Sequence, residues 1–369
     1  MKVLMLTTSY PDVYYPNRGI FVYHLVDNLR NIGMDVDVLY LTKYKHLIVG
    51  SGIFQNLKIS WMARLEFPFY ILNFYINLLK KSKEYDIIHA NWELTAFLAL
   101  LSGFYHRKKI LLTERSPQII NTKNKILSIV SAYTYRNVDK LVVISNDSRR
   151  VLINKYHNLN PVVIQNGVSS ISVKSGNVLN LRKKLKISKN SKVVLFVGRL
   201  TQVKSVDFLI EGFAMLDFKN KLLLVVGSGE EKNNLECLVK NLGLTDNVIF
   251  TGNVNPKEVY SYMHLADVLV LPSTMETGGN VILEALMCGL PVISTRVGWA
   301  DDYIVDGYDG YFIEKRNAKD IGNKLNKVLS NNKLLKIMKK NALHVADNEL
   351  ISWQECAKLY EKEYKLLVG

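Results

Sequence analysis

The 369-residue chain has only three cysteines, Cys237, Cys288 and Cys356, and no C-x-x-C pair. An odd, scattered set of thiols argues against a disulfide framework or a cysteine zinc site and fits reduced core residues of a cytosolic protein. No run of about 18 uncharged apolar residues occurs, so no membrane-spanning helix is expected. A secretory leader is not expected either: Met1-Lys2 leads straight into a short apolar strand, and Thr7, Thr8 and Ser9 interrupt any apolar core. After that strand the chain reads Thr-Thr-Ser-Tyr-Pro where a dinucleotide-binding unit would carry G-x-G-x-x-G, which argues against an NAD enzyme. Neither a metal-ligand cluster nor a nucleic-acid-binding motif can be read, although the net charge is +15.

What is present is an ordinary globular composition, 48% hydrophobic and 22% charged, in a length that suits two domains. The positive excess is uneven. Residues 1–170 hold 21 Lys and Arg against 11 Asp and Glu, which is +10, and the remainder holds 27 against 22, which is +5. A basic half can face nucleic acid, anionic lipid or an acidic substrate.

The stretch Val270 to Thr295 organises the rest. A β-branched run, Val268 to Leu271, ends at Pro272. A polar loop follows with Glu276, Gly278 and Gly279. A helical apolar segment then runs to a stop at Gly289 and Pro291, and a second strand begins. Strand, glycine loop, helix and strand make one βαβ crossover of a parallel sheet. Unpaired amides at the helix start and glycines before it suit phosphate or sugar oxygens. The two carboxylates at the mouth, Glu276 and Glu284, suit hydroxyl donors, because an ionised carboxylate only accepts. A ligand both anionic and rich in hydroxyls fits such a site; so does a plain βα loop with two solvated glutamates.

This stretch resembles the E-x7-E signature of the large retaining glycosyltransferase family 4, whose members have the GT-B fold. The LPS, LEAL, CGLPVI and VG pieces around it are similar too, and the resemblance extends over nearly the whole chain. It implies an α/β architecture of two doubly wound, Rossmann-like parallel-sheet domains facing a central cleft. Residues 1–170 would be the acceptor-side domain, with the helix 352–369 crossing back onto it. Residues 171–351 would bind the nucleotide sugar. Alternating strands and helices in both halves agree with that class, and ligands then sit at the carboxyl ends of the strands.

Residue by residue, Gly198-Arg199-Leu200 with Lys204 resembles the family loop whose cations bind the donor diphosphate, which implies that role for Arg199 and Lys204. The family's next glycine is Ser205 here. Glu284 would hold the ribose, and Glu276 with the amides around Gly278, Gly279 and Asn280 the sugar. Val254 would meet the base, and Gly19 stands alone where the family often has two glycines. Glu276, Arg199 and Lys204 form the catalytic set. On the acceptor side, His89 matches the first histidine of the family's D-[VI]-[VI]-H-x-H segment and Asn91 replaces the second. Glu114-Arg115-Ser116 stands where His-Gly is common, and Gln165-Asn166-Gly167-Val168 resembles the P-N-G-V turn.

The implied activity is a retaining hexosyl transfer from a nucleotide diphosphate sugar to a glycan or lipid-linked acceptor. Assembly of a bacterial surface polysaccharide fits best, with no metal, no other cofactor and no nucleic-acid partner. A GT-B epimerase or a non-catalytic sugar-nucleotide binder stays open. A phosphorylase lacks its pyridoxal lysine context. Two further expectations are local. Residues 58–83 pack Trp61, Phe67, Phe69, Tyr70, Phe74 and Tyr75 beside Lys58, Lys80, Lys81 and Lys83, with Pro68 breaking the pattern. They read as a buried helix or as a peripheral face on an anionic membrane. Residues 169–191, rich in Ser, Asn and Lys, read as a linker.

Overall fold

The computed structural model describes residues 1–12, 18–48, 53–115, 124–169, 175–276 and 278–369, with the side chains of 54, 55, 104–106, 126, 175 and 176 left aside. Parts of the loop at Pro11–Gly19 and of the stretch 169–191, as well as Ser116, fall outside the described residues. The chain divides into two compact units, Met1–Gly167 with Ile351–Gly369, and Val168–Leu350.

The first unit carries a six-stranded sheet built from β1 (Lys2–Leu6), β2 (Asp35–Leu39), β3 (Ile87–Asn91), β4 (Lys109–Glu114), β5 (Lys140–Val143) and β6 (Val162–Val163). Its order is β2-β1-β3-β4-β5-β6, and every neighbouring pair is parallel. Strands covered on both faces need unbroken apolar runs, and Val3 to Leu6 are fully buried. The order reverses between β1 and β3, the place where open α/β sheets open a crevice at the strands' carboxyl ends.

The second unit carries β7 (Lys192–Val197), β8 (Lys221–Val226), β9 (Val248–Gly252), β10 (Val268–Leu271), β11 (Val292–Ser294) and β12 (Gly310–Phe312). Their order is β12-β11-β10-β7-β8-β9, again all parallel. This is the Rossmann order, with its switch point between β7 and β10.

The last helix, Trp353–Val368, belongs to the first unit. A capping box between Ser352 and Glu355 starts it. It packs on helix Ile20–Asn31. Its Trp353, Cys356, Tyr360 and Tyr364 join Val22, Leu25 and Leu29 in one core cluster. The Asn166-Gly167 turn permits this: a Cβ on Gly167 would lie 2.3 Å from the Trp353 Cα.

Three local expectations are corrected. Pro68 lies inside helix Trp61–Lys81, on an exposed position where water can take the carbonyl that its ring leaves unpaired. Residues Ser175–Lys184 form a helix that packs on helix Pro256–Leu265, so much of the supposed linker is part of the second unit. Of the three free cysteines, Cys356 is buried and Cys237 is exposed on a helix surface.

Candidate functional site

At the switch point of the second unit, the loop after β7 meets the loop after β10. The Thr274 N–H donates to the Val203 carbonyl at 2.8 Å. This contact brings Lys204 and Glu276 together: the ammonium bonds the carboxylate, and Ser273 Oγ donates to the same carboxylate oxygen at 2.8 Å. Both partners are largely enclosed. The neighbouring loop after β8 is tied in as well. The Leu200 N–H donates to the Ser228 carbonyl at 3.0 Å, and the Glu231 N–H to the Leu200 carbonyl at 3.1 Å. Arg199 reaches across it to Glu230 at 3.6 Å and stays half exposed.

The backbone explains the residue types. Gly198 follows β7 and its N–H pairs with the Val226 carbonyl at 3.0 Å. Ser205 begins helix Val206–Ala214 with φ 50° and ψ 42°, the left-handed region. A glycine would adopt it without strain, which is the physical reason for the family's preference there. Gly279 starts helix Asn280–Met287 with φ 92°, no side chain among the described residues caps that helix, and the Ile282 N–H turns to the Gly279 carbonyl at 2.9 Å. Gly278 lies under the Trp299 ring, which a Cβ would approach to 3.0 Å, and its carbonyl accepts from the Trp299 N–H at 2.7 Å.

Glu284 projects from the same helix beside Tyr260 and Cys288. Burial pushes its carboxyl up to about 7. Burial, and then the Glu284 charge, push the Tyr260 phenol up and the Cys288 thiol to about 12. Val254 follows β9, two strands from β7, and is half-buried. Chemically the cluster offers two cations on strand-end loops, a set of amides, and two carboxylates in different settings. Among the described residues no group of three or more His, Cys, Asp or Glu could hold a metal ion.

In the first unit, Gly19 has φ 63° and starts helix Ile20–Asn31, where a Cβ would meet the Ser9 carbonyl oxygen at 2.1 Å. Asn91 and Arg115 are joined. Arg115 Nε donates to Asn91 Oδ1 at 3.0 Å, its Nη1 donates to Asn166 Oδ1 at 2.7 Å, and its plane lies 4.9 Å from the Phe21 ring centre.

His89 and Glu114 depart from the acceptor-side expectation. His89 is fully buried, with Nδ1 at 2.5 Å from the Tyr364 hydroxyl and Nε2 at 2.8 Å from Thr113 Oγ1. Burial, and then the Arg115 charge, hold it well below its ordinary value, so it stays neutral and ties β3 to the last helix. Glu114 is fully buried too, and accepts from the Tyr135 hydroxyl at 3.1 Å. Both side chains bond partners within the first unit. The local reading also passed over Ser273 and Trp299, which hold the Glu276 loop. Their signals were the serine directly after Pro272 and the tryptophan directly after Gly298.

Two family models match the chain: "Glycosyltransferase Family 4" over residues 19–170 and "Glycosyl transferases group 1" over residues 177–345. An uncharacterized glycosyltransferase of Methanocaldococcus jannaschii is 28% identical over 382 residues, covering 100% of this chain and 99% of its own. The sucrose-phosphate synthase of Thermosynechococcus elongatus superposes with a TM-score of 0.82 at 20% identity, covering 100% of this chain and 99% of its own. The Anabaena protein HepE, crystallised with UDP-glucose, superposes with a TM-score of 0.79 at 19% identity, covering both chains in full. Two parallel-sheet units of six strands and these matches lead to one conclusion: the chain has the GT-B fold and belongs to glycosyltransferase family 4, as a sugar-transferring enzyme.

Proposed function

We propose that the enzyme takes its sugar from a nucleotide diphosphate sugar and transfers it with retention of configuration. The pairing of Lys204 with Glu276 at the switch point carries this reading. A diphosphate arriving there offers Lys204 a stronger partner than Glu276, and Arg199 the second cation. Glu276, released, accepts from hydroxyls of the sugar. The leading amides at Gly278, Gly279 and Asn280 orient the same group, and Glu284 accepts from the ribose hydroxyls. The backbone at Val254 meets the base, and Gly198 gives the donor close backbone approach.

In the transfer, the bond between the sugar carbon and the diphosphate oxygen breaks. A bond to the acceptor oxygen forms on the same face, and the acceptor's proton passes to the leaving phosphate oxygen. The protein contributes positioning and stabilisation of the charge gathering on the diphosphate. The acceptor is a glycan or another, lipid-linked acceptor of bacterial surface polysaccharide assembly, met on the cytoplasmic side. The Anabaena neighbour's complex with UDP-glucose supports the donor class. The test is a panel of UDP- and GDP-hexoses. The expected result is turnover of one donor and a product with the donor's anomeric configuration by NMR. An inverted product refutes retention, and donor binding with neither hydrolysis nor transfer across acceptors refutes this donor assignment.

A further inference from the structure

Helix Trp61–Lys81 has two apolar faces. One, with Ala63, Tyr70, Phe74 and Leu78, is buried in the first unit. The other carries Trp61, Leu65, Phe69, Leu72 and Ile76, which are 42 to 66% exposed. At 100° per residue these five fall within about 80° of one another and on the opposite side from the buried set. An apolar stripe of this length on a soluble surface marks a docking face.

We infer that this face lies on an anionic lipid surface, with the helix axis parallel to the membrane. Three observations single out lipid. The only carboxylate of the helix, Glu66, accepts from the Leu47 N–H at 2.9 Å and so is held toward the protein. Exposed cations gather at the two ends of the helix, Lys58 and Arg64 at one and Lys80, Lys81 and Lys83 at the other, where Glu84 offsets one of them. Trp61 occupies the end of the stripe, a side chain that favours the depth of lipid headgroups. A second copy of the chain is the poorer occupant. Two such helices face to face, in either direction, would set one cationic end against another. No helix among the described residues is long and apolar enough to cross the membrane, so the contact is interfacial.

The inference rests on the proposed function only in placing the acceptor in that lipid; the contact itself needs no donor. The experiment is co-sedimentation of the full chain with vesicles of phosphatidylglycerol and phosphatidylcholine, or of phosphatidylcholine alone. Wild type binds the anionic vesicles, and the emission of Trp61 shifts to the blue; a Trp61→Phe variant binds without that shift. Leu65→Gln with Phe69→Gln lowers binding by roughly tenfold or more, and high salt does not mask the loss. Neutralising Lys80, Lys81 and Lys83 to Gln lowers it by about fivefold per lysine at low salt, and by less at high salt. These exposed changes leave hydrolysis of the soluble donor intact, so failure here is distinguishable from failure of the transferase reading. Absence of wild-type binding to anionic vesicles at low salt overturns the inference. So does a lipid-independent dimer in light scattering that Leu65→Gln with Phe69→Gln dissolves.

Discussion

If Glu284 accepts from ribose hydroxyls, nucleotide binding must be coupled to its ionisation. Without ligand its carboxyl titrates near 7 because burial disfavours the charged form. The ionised form offers both oxygens as the stronger, charge-assisted acceptors for the two hydroxyls, so binding below neutrality expels a proton. With the free-state value of about 7, roughly one molecule in eleven is competent at pH 6 and about nine in ten at pH 8. The apparent Kd for the free nucleotide should therefore tighten about tenfold from pH 6 to pH 8, about 1.4 kcal/mol. Calorimetry in buffers of different ionisation enthalpy reads both the Kd and the proton released, which should be about half a proton near pH 7. The diphosphate's own ionisation contributes equally to every variant, so the comparison that matters is with Glu284→Gln. That variant should bind more weakly at pH 8 and lose the Glu284 part of the pH slope. Equal slopes in wild type and Glu284→Gln would refute the ribose role.

Three further outcomes are expected. Arg199→Ala and Lys204→Ala should each lower kcat/KM by about 2–4 kcal/mol in transition-state terms, measured by steady-state kinetics on the folded variants. Ser205→Gly should raise stability in urea by about 1 kcal/mol, because it relieves a left-handed serine, and an unchanged midpoint would show that the site is not strained. Burial pushes the Glu93 carboxyl up to about 7, above its unfolded value of 4.5, so the folded state binds more protons between these values and stability falls as pH rises through that window. Glu93→Gln keeps an acceptor for Ser131 and Tyr135 and should be the more stable protein above pH 8, by up to about 3 kcal/mol, with the advantage vanishing near pH 4 in thermal melts.

The donor-side constellation was legible because each part sits beside a strand that reads plainly in isolation. Val193 to Phe196 and Val268 to Leu271 are continuous apolar runs, and the loops that follow them carry Lys204 and Glu276. What local reading could not supply was the partnership of these two, since it depends on β7 and β10 being neighbours across two intervening strands of sequence. His89 shows the same limit more sharply. Its strand-end position matches a family histidine, yet its partners are Thr113 and Tyr364, and only the tertiary structure reveals that both ring nitrogens are occupied. The helix Ser175–Lys184 was hidden for another reason. It is polar, with Arg182, Lys183 and Lys184 at its end, and its stability comes from packing on helix Pro256–Leu265 instead of from a strong apolar period. Pro68 misled because a proline inside a helix is costly, while an exposed turn lets water absorb that cost.

The bond between His89 and Tyr364 spans 275 positions. During synthesis the whole of Val168–Leu350 leaves the ribosome before helix Trp353–Val368 does. The usual order, in which the first domain made is the first domain finished, is therefore inverted. The early unit must wait with the surface beneath Val22, Leu25 and Leu29 uncovered while the later unit folds ahead of it. Loss of the 16-residue helix Trp353–Val368 would leave those apolar side chains and Nδ1 of His89 without their covering partners, so damage late in the sequence falls on the unit encoded early in it.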